Sequence, residues 1–532
     1  MATVPRRARR RPTPPVLRDW RALAGLLALV VAAVVAVVAL GGGDDAPPSG
    51  EAAKLVPADA LAYLHVSTDD ERAPVRRGVA LLRRLGAEEG LSAQLSGLLS
   101  AREGQPVDFG RDVRPWLGDE AALAITRGRG TTAGSLLLLS VADEDKARDF
   151  LARNGGRART SERDGVEVAT YANGAVAAFL DGFLAIGQRS TVAAAIDLSA
   201  GKGRARALAD DATYLRATAG QPDERVLDGY AAVDGVRRLL APQSGLLGLA
   251  GAMLDQPGLR AAAVAVSAGA TTARVSVRQL LDPRGRSAPP RFTPTLTRSV
   301  PERALAYAGF TSVERAAPLL FGLGGVGGDT AELVRAAGRV LSDSGVSFAR
   351  DVLPLFGKEV AVAIVDANGA PAVVLLARTP AEQRTATALR GLEPAIAKLF
   401  APEGGAAPAF ADGRIGDVAT RRLQTSDGVE LHYAVHDGTL ALSTSEAALA
   451  SVLRPQGSIA DAPGFKAVIP DSQSELTSIV FFDFSQLLSL FEPLGLTGAS
   501  GLFADLQSVR AVGLTSLSGE AQTTAELTFE IP

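Results

Sequence analysis

The chain has 532 residues, 47% of them apolar and 5% aromatic, with 55 Lys and Arg against 58 Asp and Glu for a formal net charge of −3. That length accommodates two sizeable cores, while the charge balance and the shortage of rings speak against a nucleic-acid binder, which needs cations and stacking platforms. There is no cysteine, so thiol nucleophiles, thiolate metal sites, disulfides and a lipobox anchor are excluded.

Residues 1–21 form an Arg-rich tail, with seven arginines against the single acid Asp19. Residues 22–40, ALAGLLALVVAAVVAVVAL, follow without one charged or polar side chain. A helix of that length spans roughly 28 Å, close to the thickness of a bilayer core, so the run predicts a transmembrane helix with the lipid bilayer as its partner. A cleaved signal peptide is the alternative, but its apolar region is usually shorter, and Leu40-Gly41-Gly42-Gly43 is a poor cleavage site. Arginines on the N-terminal flank stay in the cytoplasm. The expected location is therefore the plasma membrane, single-pass, with the C-terminal ectodomain outside. Removing the tail's surplus of six positive charges from −3 leaves the ectodomain at about −9, an ordinary value for solubility.

Residues 41–54 have the composition of a flexible stalk, and residues 283–298 read as a linker. The two segments they delimit, 55–282 and 299–532, resemble each other along most of their course. VPADALAYLHV from Val56 matches VPERALAYAGF from Val300, and FGRDVRPWLGDEAALAI from Phe109 matches FARDVLPLFGKEVAVAI from Phe348. DGFLAIG from Asp181 matches DGTLALS from Asp437. GYAAVDGVRRLL from Gly229 matches IVFFDFSQLLSL from Ile479, with Asp234 set opposite Asp483, and the final apolar runs from Leu259 and Val509 correspond.

Within each segment, β-rich runs meet at Asn-Gly or Asp-Gly steps, which favour tight hairpins. Asp164 to Gly187 predicts three antiparallel strands turning at Asn173-Gly174 and Asp181-Gly182, and Asp427 to Ser443 a hairpin turning at Asp437-Gly438. The runs beginning at Glu120 and Glu359 are further hairpins, each followed by a helix; Thr379 and Pro380 suit the cap and first turn of the second. Shorter helices are expected at Ser190 to Leu198 and Ser445 to Leu453. The fold class is α+β: an N-terminal transmembrane helix followed by two tandem, mutually similar units with mainly antiparallel sheets and flanking helices.

Few residues suggest chemistry. GLGGVG, Gly322 to Gly327, has the spacing of a dinucleotide loop but follows a helical pattern rather than a strand and has no equivalent in the other segment. His432 and His436 stand four apart, a metal spacing on a helix, but ELHYAVHDG alternates as a strand does, so partly exposed strand histidines are expected. His65, the third histidine, matches Gly309. No G-x-S-x-G elbow is present. Of the acidic pair Asp119-Glu120, only Glu120 has a counterpart, Glu359, and a lone Glu at the start of a strand is expected to be solvated. No cofactor and no metal are expected, and the chain reads as a non-enzyme.

The repeated line offers the one candidate site. Arg111 with Asp112, and Arg350 with Asp351, precede Pro115 and Pro354, and Gly118 and Gly357 then introduce a strand. This predicts a short helical turn stopped by Pro, whose charges tie neighbouring loops together. The alternative is two equivalent sites for an anionic ligand. Two apolar, Gly-rich stretches, Leu239 to Leu254 and Leu487 to Leu506, read as core helices or, alternatively, as an apolar groove.

LVPADALAYLHV, DVRPWLGDEAALAI and DGFLAIG behind a single apolar anchor resemble a bacterial domain-of-unknown-function family, number 3352 in that series, from Ala52 to the end. The resemblance implies an exported, membrane-anchored protein and supplies no catalytic residues. The expectation is thus a non-catalytic binding or cell-envelope-associated protein, with an unidentified envelope ligand or protein partner and no nucleic acid. An envelope hydrolase and a lipid or acyl-chain carrier are the alternatives.

Overall fold

The computed structural model describes residues 47–84, 109–127, 133–202, 205–240, 254–312, 339–379, 381–401, 405–425, 428, 430–470, 474–486 and 508–532. The expected transmembrane helix at 22–40, the tail before it, Gly322–Gly327 and nearly all of the two late apolar stretches lie outside them. Among the described residues, no helix is long and apolar enough to cross a membrane. The chain divides into two compact units: residues up to Ala270 with Arg278–Leu281, and Thr271–Val277 with Asp282–Pro532.

Unit 1 contains β1 (Ala62–Ser67), α1 (Ala73–Arg84), β2 (Leu117–Arg127), β3 (Ala133–Val141), α2 (Glu144–Asn154), β4 (Ala158–Arg163), β5 (Val166–Tyr171), β6 (Val176–Leu180), β7 (Phe183–Gly187), α3 (Arg189–Ser199), α4 (Ala212–Thr218), β8 (Arg225–Ala232) and β9 (Leu259–Ala268). Its strands pair in the order β4-β5-β6-β7-β3-β2-β1-β8-β9, every pair antiparallel. β10 (Thr272–Leu281) is shared out between the units. Unit 2 contains β11 (Ala306–Phe310), β12 (Val360–Asp366), β13 (Pro371–Arg378), α5 (Glu382–Lys398), β14 (Ala411–Ile415), β15 (Val418–Gln424), β16 (Glu430–His436), β17 (Thr439–Ser443), α6 (Glu446–Leu453), α7 (Pro463–Val468), β18 (Ser478–Asp483), β19 (Ala511–Ser518) and β20 (Gln522–Glu530). Its order is β14-β15-β16-β17-β13-β12-β11-β18-β19-β20, again antiparallel throughout. Strand for strand, the first nine positions repeat the order of unit 1.

The hairpins turn where Asx-Gly steps allow φ > 0. Asp181 and Gly182 have φ of 48° and 78°, Asp437 and Gly438 of 48° and 65°, and Asn368 and Gly369 of 61° and 88°. The apolar run of β3 needs no alternation because both of its faces are covered. Leu136 and Leu138 pack with Val192, Ala195 and Ile196 of α3, while Leu137 and Leu139 pack with Ala147 and Phe150 of α2 and with Trp116.

Several expectations need correction. The stalk stops short of residue 54: Glu51–Leu55 form a 3-10 turn with Ala52, Ala53 and Leu55 buried, because these apolar residues complete the core of unit 1. The linker likewise ends early, with Phe292 and Leu296 in the core of unit 2. Thr379 does not cap α5, which begins at Glu382 after Ala381; its hydroxyl bonds to that of Thr385 instead. Asp234 and Asp483 are not equivalent. Ala231 and Phe482 occupy matching places opposite Ala62 and Ala306, so Asp483 falls two positions earlier in its unit than Asp234.

Candidate functional site

Tyr63, His65 and Ser67 alternate onto one face of β1. In register beside them are Glu120 of β2, opposite Ser67, and Asp228 of β8, opposite His65. The strand order therefore brings three ionisable side chains distant in sequence to one spot. His65 Nδ1 lies 2.9 Å from Asp228 Oδ1, and its Nε2 lies 3.2 Å from Glu120 Oε2. Glu120 Oε1 accepts the backbone N–H of Ala52 at 2.7 Å, which ties the leading turn to the sheet. Arg225 Nε donates to Asp228 Oδ1 at 3.0 Å.

The cluster is sealed: Glu120, His65 and Asp228 are 1%, 2% and 6% exposed. Burial by itself would lower the His65 pKa, but the hydrogen bonds to Asp228 and Glu120 outweigh it and hold the imidazole at about 9. Burial likewise works against the Asp228 carboxylate, yet His65 and Arg225 bring it below the ordinary range. The group is an imidazolium clamped between two carboxylates, each of which has a further donor. Such an arrangement fixes three strands and a turn in register, and it exposes no nucleophile.

Unit 2 keeps the glutamate and drops the histidine. Glu359 Oε1 accepts Leu296 N–H at 2.7 Å and Oε2 accepts the Thr295 hydroxyl at 2.6 Å. Gly309 and Ile479 stand where His65 and Asp228 do. A Cβ on Gly309 would lie 2.9 Å from Ile479 Cγ2, 3.0 Å from the Tyr307 hydroxyl and 3.4 Å from Phe292, so aliphatic and aromatic groups fill the space the imidazole takes in unit 1. Burial raises the pKa of Glu359 despite its hydrogen bonds from Thr295 and Leu296 and the nearby Arg378. The expected solvated glutamates are thus both buried, since each satisfies a backbone donor at the start of its own unit.

The repeated line forms one helical turn in each unit, Phe109–Val113 and Phe348–Val352. Each arginine pairs with the next residue: Arg111 Nε to Asp112 Oδ1 at 3.0 Å, and Arg350 Nε to Asp351 Oδ1 at 3.0 Å. The two arginine side chains are 73% and 74% exposed. Neighbouring residues add further bonds at each turn. Trp116 Nε1 donates to Asp112 O at 2.8 Å, Asp351 Oδ2 accepts from Ser347 N–H at 2.7 Å, and Arg114 pairs with Asp70.

His432 is buried rather than partly exposed, with Nε2 2.8 Å from Glu430 Oε2, and His436 at the hairpin end lies 3.6 Å from Asp437. Among the described residues, no group of three or more such side chains is placed to hold a metal ion. A further ionic cluster went unseen in the sequence. Arg421 of β15 bonds both oxygens of Glu393 on α5, at 2.7 and 2.6 Å, and Tyr433 of β16 donates to Glu393 at 2.6 Å. It fastens the helix to the sheet. Asp228 and Glu393 left no local sequence signal, because His65, Arg421 and Tyr433 lie on other elements.

Residues 22–531 match the model of a family described as "Protein of unknown function (DUF3352)". No curated protein matches the chain. Among solved structures, crystal form I of TP0453 is similar at a TM-score of 0.27 and 12% identity, over 44% of this chain and 79% of that one. Crystal form III is similar at 0.27 and 11%, over 43% and 78%.

Proposed function

The chain belongs to the DUF3352 family of proteins of unknown function, and from that premise we propose that it is a single-pass, membrane-anchored extracytoplasmic protein built from two copies of one α+β unit, acting as a non-catalytic binding or envelope-associated module. The observation that carries the proposal is the uncharged apolar run at 22–40 behind a cluster of arginines. The matching strand orders support the duplication. The His65 cluster supports the absence of catalysis, because both imidazole nitrogens and both Glu120 oxygens are already bonded within the core.

Reporter fusions test the address. A reporter active only outside the cytoplasm is expected to work after Pro532 and to be silent before Arg6; the reverse pattern overturns the anchor and the location. A broad screen of ester, amide and glycoside probes on the purified protein tests the second half. Turnover of any probe, abolished by a single substitution, would replace the binding module with an envelope hydrolase. Lipid in an organic extract of the protein would favour the carrier.

A further inference from the structure

We propose that the Glu120–His65–Asp228 cluster is a charge-dependent latch that holds the leading turn, Glu51–Leu55, against the sheet of unit 1. Glu120 has two oxygens and two tasks: one binds the Ala52 N–H at 2.7 Å, the other faces His65 Nε2 at 3.2 Å. An imidazolium donates from both nitrogens, so it serves Glu120 and Asp228 together. A neutral imidazole has one N–H and one lone pair. The Nδ1 contact to Asp228 is the shorter, at 2.9 Å, so the proton that leaves is the one on Nε2. Its lone pair then points at the Glu120 carboxylate inside the core, where repulsion is little screened. Asp228 keeps Arg225. Of the two carboxylates, Glu120 is the one displaced, and the turn it holds goes with it.

The other ionisable groups around the imidazole do not compete. From β1, Tyr63 stacks on it at 6.5 Å; from α4, Tyr214 packs against Tyr63; and from β8 come Tyr230 and Arg225. Burial raises Tyr63 and Tyr214 well above the ordinary tyrosine range and pushes Tyr230 up to about 12. Lys54 of the leading turn is held up by Glu51 and stays charged. The folded value of His65 lies above the unfolded one, so its stabilisation is complete below about pH 6.5 and is lost as pH rises through about 9. Unit 2 supplies an internal comparison, because Glu359 holds Leu296 with the help of a hydroxyl that stays neutral through this range.

Hydrogen exchange on the full-length protein, corrected for intrinsic rates, tests the latch. Between pH 7 and pH 10, protection of the 51–55 segment is expected to fall by at least about tenfold, while that of 296–299 holds. The conservative variant His65→Gln, which has no proton to lose here, should show protection of 51–55 that no longer depends on pH. Should that variant not fold, the imidazole nitrogen resonances of the unaltered protein give the second reading, with both nitrogens protonated at pH 7 and one at pH 10. Equal protection of 51–55 at both pH values, or parallel loss at both segments, overturns the proposal.

Discussion

A buried ion cluster is worth most when one member is removed. In His65→Leu, Glu120 and Asp228 remain as buried carboxylates without the cation between them, and stripping a buried charge of its partner costs roughly 3–5 kcal/mol. The urea midpoint of unit 1 is therefore expected to fall well below that of unaltered protein. The two glutamates should respond differently to amidation. Glu120→Gln keeps an acceptor for Ala52 but leaves His65 one carboxylate short, whereas Glu359→Gln removes a charge that burial already disfavours and keeps an acceptor for Leu296. Because the folded Glu359 has a raised pKa, its charged form weighs against stability once pH exceeds that value. At pH 7, Glu359→Gln should then melt nearer to the unaltered protein than Glu120→Gln does; the opposite ranking in calorimetry would contradict these assignments. Arg350→Ala belongs at the other end of the scale. Its guanidinium is three-quarters exposed and, among the described residues, bonds its neighbour Asp351 alone, so the melting temperature should not change. A substantial drop would mean that this arginine holds something besides Asp351.

At the level of elements, the line written twice has a steric explanation. The turn must deliver the chain onto the edge of β2 or β12 close to the end of a neighbouring strand. A Cβ on Gly118 would come 2.7 Å from Ser140 Oγ, and one on Gly357 would come 2.6 Å from Arg378 O. Backbone approach requires glycine at Gly357, and at Gly118 a Cβ would press on the Ser140 hydroxyl that accepts the Glu120 N–H; Gly118→Ala and Gly357→Ala should each destabilise their unit by about 1–3 kcal/mol. Unchanged melting of either variant would refute the account. Such features were legible because they are local: Asx-Gly turns, apolar runs and Pro stops act within a few residues of themselves. β4 (ARTSER) and β14 (ADGRI) were not legible. Every residue of β4 is exposed, and β14 is exposed at Ala411, Asp412 and Arg414, so neither carries the apolar alternation that announces a strand; the hairpin pairing with β5 and β15 makes them strands. The His65 cluster was half legible. Glu120 and Glu359 correspond in the two segments, but the partner Asp228 lies 163 residues from His65, and only the strand order reveals that they meet.

For the whole molecule, the repeated strand order places the division of the chain, and that division is less simple than a cut after Asp282. Thr271–Val277 belong to unit 2, where Thr271 O accepts the N–H of Ile531 at 2.7 Å and Arg274 Nε lies 3.2 Å from Glu526 Oε1. A fragment beginning at Asp282 lacks both contacts and leaves the Ile531 N–H without its partner. One beginning at Ala270 retains them. A backbone hydrogen bond contributes about 0.5–1.5 kcal/mol and a half-exposed ion pair less than about 1 kcal/mol. Each kcal/mol moves the melting temperature of a unit this size by about 2–4 °C. The longer fragment should therefore melt about 1–10 °C higher. The variant Arg274→Ala in the longer fragment separates the two contributions: it should lose only the smaller part of the difference, because the backbone bond survives it. If the two fragments melt together, Thr271–Val277 do not complete unit 2, and the division after Asp282 stands.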